Sequence, residues 1–254
     1  MRSVYDQPLR ELRIELLQKC TLACSHCSAD SSPRASRSLS RDFVLRLIRE
    51  GKELGLENLV FTGGEPLLDS SLPDYLAEAE AKQITTTVFT AGFLPGVDVA
   101  DLIRDLAARG LKQMNVSLYS MDAEINAAVT RKRQSLEFSK AALAAGVNAG
   151  LVTEVHFVPM APNIGHLADV ARWAAETGIS RLSVLRYVPQ GRGLASFDTL
   201  APAYTDELRL RDGIRDLRRE LPVLAIHVGA SFSFLGIDAP APCTAGISSM
   251  SVRS

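Results

Sequence analysis

Three cysteines lie close together near the start of the chain. Cys20, Cys24 and Cys27 are separated by three and then two residues. Three thiolates on one loop can each hold one iron of a cubane cluster, and the fourth iron then stays open. A structural metal site closes every position, whereas an open position is what chemistry at the metal requires. The spacing therefore favours a reactive metal centre.

A second motif, Thr62-Gly-Gly-Glu-Pro66, follows a strand-like run at 58–62. Together the two motifs resemble the radical S-adenosylmethionine superfamily, and the likeness extends over most of the chain. The resemblance implies a [4Fe–4S] cluster on the three cysteines, with S-adenosylmethionine bound at its open iron. It also implies that Gly63, Gly64 and Glu65 meet the amino group of the methionine part, where glycines allow close backbone approach.

Further cofactor contacts are expected from weaker likenesses. Thr90, in Thr90-Ala-Gly92, resembles a family element in which Asn is common at the position of Ala91. Ser117 resembles a serine that contacts ribose or carboxylate, and Arg131 is expected to pair with the methionine carboxylate. His26 stands where an aromatic residue often packs near the adenine. Arg186 joins this set because strand alternation turns it inward.

The resemblance also implies the reaction. One electron cleaves the bond between sulfur and C5′ of the cosubstrate, which gives methionine and a 5′-deoxyadenosyl radical that takes hydrogen from a substrate. A donor such as flavodoxin or ferredoxin is expected to supply the electron. The protein orients the reactants and excludes water and oxygen, while the cofactor carries the difficult chemistry.

Two polar residues stand on what should be the inner face of strand five. In the run 150–158, Glu154 and His156 alternate with Val155 and Phe157, which suit a helix-covered face. We therefore predict that Glu154 and His156 point into the interior as catalytic residues in contact with substrate or cofactor. The competing interpretation is an internal pair with only a structural role.

The elements that must position these residues alternate between strands and helices. Six strand–helix units joined by short connections predict a parallel sheet with right-handed crossovers. Periodicity does not separate a doubly wound sheet from a barrel; with the resemblance, we expect an α/β fold that is a partial (β/α)6 TIM-like barrel. Its ligands should gather at the carboxyl ends of the strands. The predicted strands are 12–17, 58–62, 84–90, 112–118, 150–158 and 181–188, with a seventh apolar run at 223–228. The first predicted helix begins after the Ser40 cap. The other predicted helices span 71–82, 99–110, 134–145 (with a stop at Gly146), 166–177 and 205–220.

The tail is expected to be a separate segment. We assign 1–230 to the barrel core and 231–254 to a segment that resembles the start of a SPASM or twitch extension, on the basis of Pro242-Cys-Thr-Ala-Gly246. Such extensions hold auxiliary clusters and need several more cysteines. We expect either a shortened extension or a tail without a second cluster, in which Cys243 is a free buried thiol.

Composition limits the partners. A net charge of −1 lacks the basic excess of a nucleic-acid binder, so we expect no nucleic acid partner. The chain shows neither a signal-peptide pattern nor a long uninterrupted apolar run, so we expect no membrane partner. Four cysteines, three of them clustered, indicate metal ligands rather than disulfides and hence a cytoplasmic protein.

The substrate is the least determined feature. The tail and the segment Val188-Pro-Gln-Gly-Arg-Gly193 resemble members that modify peptides, so a ribosomally made peptide is expected. A small molecule from a biosynthetic pathway is the alternative within the same chemistry. A non-catalytic zinc or iron–sulfur protein is the alternative from another class, with His26 as the fourth ligand beside the three cysteines.

Overall fold

Eight parallel strands form one sheet in the computed structural model, which describes residues 8–237 and 244–254. The strands are β1 (Glu11–Glu15), β2 (Asn58–Thr62), β3 (Thr85–Thr90), β4 (Gln113–Ser117), β5 (Val152–Phe157), β6 (Arg181–Val184), β7 (Ala225–Val228) and β8 (Ser249–Arg253). Their order across the sheet is β7-β6-β5-β4-β3-β2-β1-β8. The two outer strands β7 and β8 do not pair with each other among the described residues, so the barrel is partial, as predicted.

The helices are α1 (Arg41–Glu53), α2 (Leu72–Ala81), α3 (Val99–Ala108), α4 (Ala123–Thr130), α5 (Ser135–Asn148), α6 (Leu167–Glu176), α7 (Arg192–Ala195), α8 (Phe197–Leu200) and α9 (Tyr204–Glu220). Short 3-10 turns lie at Pro66–Leu68, Ile164–His166 and Ala230–Leu235. The predicted cap is confirmed, because the Ser40 hydroxyl accepts a hydrogen bond from the Phe43 amide. Among these helices, the sequence analysis had left α4, α7 and α8 unassigned. Asp122 begins α4 by accepting from the amides of Glu124 and Ile125.

The hydrophobic core lies between the sheet and the helices. Each central strand turns alternate apolar side chains outward onto the helix layer, where they are fully buried. These side chains include Ile14, Phe61, Val88, Val116, Val155, Phe157 and Leu182. The side chains between them face the other side of the sheet, and many of those are polar. The alternation of apolar and polar residues thus separates the helix-covered face of the sheet from its inner face, as the sequence of β5 indicated.

Helix α5 passes through Gly146, and the predicted stop there is wrong. The helix continues to Asn148, and the chain turns only at Gly150, which has φ +74°. A Cβ at Gly146 would lie 2.6 Å from Cε of Met114 and 2.7 Å from Cγ2 of Thr153. Gly146 therefore lets the helix sit directly on β4 and β5, and packing rather than termination explains the residue.

The tail contributes a strand to the sheet. β8 pairs in parallel with β1, and Arg253 places Nε 3.2 Å from a carboxylate oxygen of Glu15. Cys243, which the sequence analysis singled out, lies outside the described residues. The proposed division of the chain at residue 230 stays a prediction. Within 8–237 and 244–254, no helix combines the length and apolar character needed to cross a bilayer.

Two helical glycines give a matched test of this packing. We expect Gly146→Ala to destabilise the fold by about 1–3 kcal/mol, because the new methyl group overpacks the helix against the sheet. Gly213→Ala in α9 places its methyl group in open space. It should stabilise by about 0.5–1 kcal/mol through helix propensity. Urea unfolding of both variants checks this, and equal effects of the two substitutions would contradict the packing explanation.

Candidate active site

A cavity of about 540 Å³ opens where the strands end. The segment that carries the three cysteines, residues 18–31, forms one wall and is called the cysteine loop below. The ends of β1 to β6 form most of the rest, together with Thr130 of α4, Ser139 of α5 and Ser231. Of the predicted site residues, those that line the cavity are Cys20, Cys24, Cys27, His26, Gly63, Gly64, Thr90, Ser117, His156 and Arg186. Glu65, Arg131 and Glu154 are not among the lining residues.

The cysteine loop is half-buried and is held by backbone hydrogen bonds. The Cys20 amide donates to Ser32 at 3.1 Å, and the Ser25 amide donates to Val129 in α4 at 2.8 Å. Burial, followed by the charge of Glu65, raises the pKa of Cys20 to about 12. Burial also raises the pKa of Cys24, and the neighbouring thiols raise it further. Thiolates gathered here need a positively charged metal group to be stable.

The donor set fits a cluster better than a single ion. Among the described residues, no three His, Cys, Asp or Glu side chains are arranged to hold one metal ion. A cubane instead takes one thiolate on each of three irons, and so spreads its ligands. His26 Nδ1 and Ser31 Oγ are buried at this wall without hydrogen-bond partners, as expected of a site built for a polar group.

The two glycines of the second motif pack against the base of the cysteine loop. A Cβ at Gly63, whose φ is +133°, would lie 2.5 Å from the Leu17 carbonyl oxygen. A Cβ at Gly64 would lie 2.1 Å from the Lys19 carbonyl oxygen. The amides of Gly64 and Glu65 donate to these same carbonyls. Only glycine permits this approach, which extends the β1–β2 pairing into the site.

Glu65 is fully buried and connects β2 to β3. Its carboxylate accepts from the Thr90 hydroxyl at 2.6 Å, the Ala91 amide at 3.0 Å and the Leu67 amide at 3.2 Å. Burial raises its pKa to about 7, although these three donors favour the charged form. Because the contact at Ala91 uses the backbone, it does not need the Asn that the family often has there. The structure places Glu65 and Thr90 as a cross-link, and their predicted role with the cosubstrate stays a prediction.

His26 packs against a tyrosine that the sequence analysis did not select. Its Nε2 lies 3.1 Å from the Tyr119 hydroxyl, and the two rings meet edge to face with centroids 5.0 Å apart. Burial, and then the charge of Arg192, lowers the pKa of His26 to about 4, so its ring is neutral near pH 7. Tyr119 lines the cavity directly after Ser117 and Leu118 of the fourth strand region, which was the available signal.

Glu154 and His156 form a pair on the inner face. Nε2 of His156 lies 3.2 Å from the Glu154 carboxylate and 3.0 Å from the Asn115 amide nitrogen. Burial raises the pKa of Glu154, but hydrogen bonds from His156 and Ser183 outweigh it and keep the pKa below its ordinary value. The imidazole also meets the Phe89 ring edge to face. His156 therefore faces the cavity, and the ionised Glu154 supports it from behind.

The two predicted arginines lie at different places. Arg131, in the left-handed region at φ 61°, ends α4 and donates from Nε to Ser25 Oγ at 3.2 Å. It contacts the cysteine loop at Ser25 and does not line the cavity, and its predicted pairing with the methionine carboxylate stays a prediction. Arg186 lies at the cavity mouth, with its guanidinium carbon 4.9 Å from the ring centroid of Phe234.

The buried carboxylate of Glu65 predicts a pH dependence. Between its ordinary pKa of 4.5 and its folded value of about 7, the folded state binds more protons than the unfolded state. Stability from this group is therefore complete below pH 4.5 and is lost as the pH rises towards 7. The difference in unfolding free energy between wild type and Glu65→Gln should fall across that range in urea titrations of the metal-free chain.

The exposed Glu57, paired with Arg10 at the surface, supplies the control. Glu57→Gln is titrated alongside, because it removes a carboxylate that is exposed in the folded chain. A flat profile for Glu65→Gln would contradict the assignment of a raised pKa to Glu65.

Comparisons with known proteins give curated relatives of two kinds. The chain is 29% identical over 225 residues to a probable GTP 3′,8-cyclase of Methanopyrus kandleri. This alignment covers 88% of this chain and 68% of that protein. It is also 29% identical over 221 residues to a PqqA peptide cyclase of Xanthomonas euvesicatoria pv. vesicatoria. That alignment covers 86% of this chain and 58% of that protein. The chain thus spans roughly three fifths of the length of such relatives.

Solved structures share the fold at lower identity. SuiB of Streptococcus suis bound to S-adenosylmethionine superposes with a TM-score of 0.71 at 21% identity, over 87% of this chain and 50% of that one. Methylornithine synthase superposes with a TM-score of 0.67 at 15% identity, over 96% and 72%. A family model described as the Radical SAM superfamily matches residues 14–174, more than half of the chain. The family prediction is confirmed, and the chain belongs to the Radical SAM superfamily.

Proposed function

We propose that this enzyme uses a [4Fe–4S] cluster on Cys20, Cys24 and Cys27 to cleave S-adenosylmethionine reductively and to abstract hydrogen from a ribosomally made peptide. The superfamily uses this cluster and this cosubstrate, and they are the cofactors of the chain. The observation that carries the proposal is that the three thiols and the two motif glycines meet at one cavity. The electron donor, flavodoxin or ferredoxin, stays a prediction.

The chain's own residues prepare the site for this chemistry. Gly63 and Gly64 bring the backbone to the wall of the cavity, and Glu65 fixes their position from behind. The neutral ring of His26, oriented by Tyr119, supplies an unpartnered nitrogen for a polar group. When bound, the cluster supplies the electron that cleaves the sulfur–carbon bond.

The charge of the cavity wall favours a peptide over a nucleoside triphosphate. Among its described lining residues, the arginine and lysine side chains are those of Arg13 and Arg186, and Glu15 opposes them. Arg13 also lies over the Phe89 ring, and Arg186 donates to the Ser231 carbonyl. Triphosphates are recognised by clusters of free guanidinium and ammonium groups. The peptide cyclase relatives support the same choice, whereas the GTP cyclase relatives keep a small molecule as the second candidate.

Anaerobic reconstitution tests the enzyme. With iron, sulfide, S-adenosylmethionine and dithionite, the wild type should form a brown cluster and release 5′-deoxyadenosine. Cys24→Ala should lose both properties, because a cubane left with two thiolates lacks a ligand. Wild-type protein that binds zinc stoichiometrically and yields no 5′-deoxyadenosine would refute the proposed function.

The hydrogen that is abstracted identifies the substrate class. Peptides translated from perdeuterated amino acids are supplied to the reconstituted enzyme, and 5′-deoxyadenosine is analysed by mass spectrometry. Deuterium in 5′-deoxyadenosine is expected from these peptides. GTP deuterated on its ribose is supplied as the alternative substrate. If deuterium reaches 5′-deoxyadenosine from GTP and not from the peptides, the enzyme acts on a small molecule.

We propose that His156 contacts the substrate and that Glu154 orients His156 through their hydrogen bond. Replacing either with Gln should lower product yield about a hundredfold or more, the usual range for a positioned acid–base group. The 5′-deoxyadenosine released without product should continue, because the cysteine loop is untouched. His227→Gln is the control. His156 pairs in register with Ser183 of β6, and Ser183 pairs with His227 of β7, so the two histidines lie in one row across the sheet, but His227 is exposed. Full product yield from both Glu154→Gln and His156→Gln would end this assignment.

A further inference from the structure

The segment that follows β6 packs directly onto the cysteine loop. A Cβ at Gly191, which has φ +54°, would lie 2.7 Å from the carbonyl oxygens of Cys27 and Ser28. A Cβ at Gly193 would lie 3.1 Å from the carbonyl oxygen of His26. Gly191 is therefore required by backbone contact between two parts of the chain that are far apart in sequence. At Gly193 the closest atom to a Cβ would be the carbonyl oxygen of Val188, in the same segment, at 2.8 Å. Contact with the cysteine loop thus explains Gly191 in the segment 188–193.

Arg192, between these glycines, forms hydrogen bonds to the cysteine loop on both sides of Cys27. Its amide donates to the Cys27 carbonyl at 3.1 Å, and its side-chain Nε donates to the Cys24 carbonyl at 2.9 Å. Nη2 donates to the Ser31 carbonyl at 2.6 Å, and Nη1 meets the Asp30 carboxylate at 2.7 Å. One guanidinium thus ties together the stretch of loop from residue 24 to residue 31.

The charge of this guanidinium is only partly balanced. The Arg192 side chain is 18% exposed, whereas its carboxylate partner Asp30 is 67% exposed. The Asp30 charge is consequently screened by water, while the arginine charge lies largely in the protein interior. The other acceptors of the guanidinium are neutral carbonyls. A fixed positive field therefore acts on the cysteine loop.

We propose that Arg192 is a positioning residue for the iron–sulfur centre, which fixes the loop that carries Cys24 and Cys27 and favours the reduced cluster through its charge. The inference rests on the proposed function, because it needs a cluster on these cysteines. Taking up one electron adds one negative charge to the cluster, and a nearby buried cation stabilises that charge. In the cell, a low-potential one-electron donor supplies the electron.

Arginine suits both tasks in a way that lysine does not. The guanidinium is planar, stays charged at all physiological pH values and presents donors in a rigid fork. This fork reaches Cys24, Asp30 and Ser31 at once, which a single ammonium cannot do. Arg192→Lys therefore keeps the charge and loses the fork, whereas Arg192→Gln loses both. The two variants separate the electrostatic effect from the mechanical one.

The test measures the cluster rather than turnover. Wild type, Arg192→Gln and Arg192→Lys are reconstituted anaerobically without S-adenosylmethionine and titrated with dithionite while electron paramagnetic resonance follows reduction. We expect a lower midpoint potential in Arg192→Gln and a value near wild type in Arg192→Lys. Both variants should release iron to a chelator about tenfold faster, because charge-assisted hydrogen bonds to the loop are lost.

Arg172→Gln is the matched control. It removes the same charge from α6, where Arg172 pairs with Glu220 at the surface, and should leave potential and iron release unchanged. A wild-type midpoint potential in Arg192→Gln overturns the proposal. If that variant does not fold in thermal unfolding, Arg192→Lys decides by iron release, and a wild-type rate overturns the proposal. Failure of the wild type to bind a cluster refutes the proposed function itself, and the inference with it.

Discussion

The site depends on direct contact between backbones. The cysteine loop is packed at its base by Gly63 and Gly64 and on its far side by Gly191 and Gly193, at separations where a side chain would collide with a carbonyl oxygen. Side chains adjust to small errors, but backbone carbonyls held by hydrogen bonds do not. The loop consequently has one position relative to β2 and β6, and everything that binds to its thiols inherits that position.

Buried polar groups complete this arrangement. Glu65 joins two strand ends through three donors, and Arg192 joins the loop to the segment after β6 through three acceptors. Glu65 accepts all three of these hydrogen bonds, and the Arg192 guanidinium donates to all three of its acceptors. Such groups are expensive to bury but leave few alternative arrangements open, so they define geometry more than they add stability.

The sequence predicted the features that depend on local patterns. Strand β2 was predicted to the residue, the Ser40 cap was correct, and alternation in β5 put Val155 and Phe157 against the helices. Features that depend on contacts between distant residues were missed or misread. Gly146 was taken as a helix end because the side chains of Met114 and Thr153 above it are not visible in the sequence. Tyr119 and Arg192 became apparent only once their partners, His26 and the loop carbonyls, were placed in space.

The split between the two faces of the sheet has a consequence for how this molecule can change. Nearly all tightly packed apolar side chains lie between the strands and the helices, while the inner face carries polar residues such as Asn115, Glu154 and His156. Inner residues therefore contribute little of the hydrophobic free energy that keeps the chain folded. Evolution can replace them to accept a new molecule without endangering the scaffold, and a designer who wishes to alter selectivity can start with the same residues.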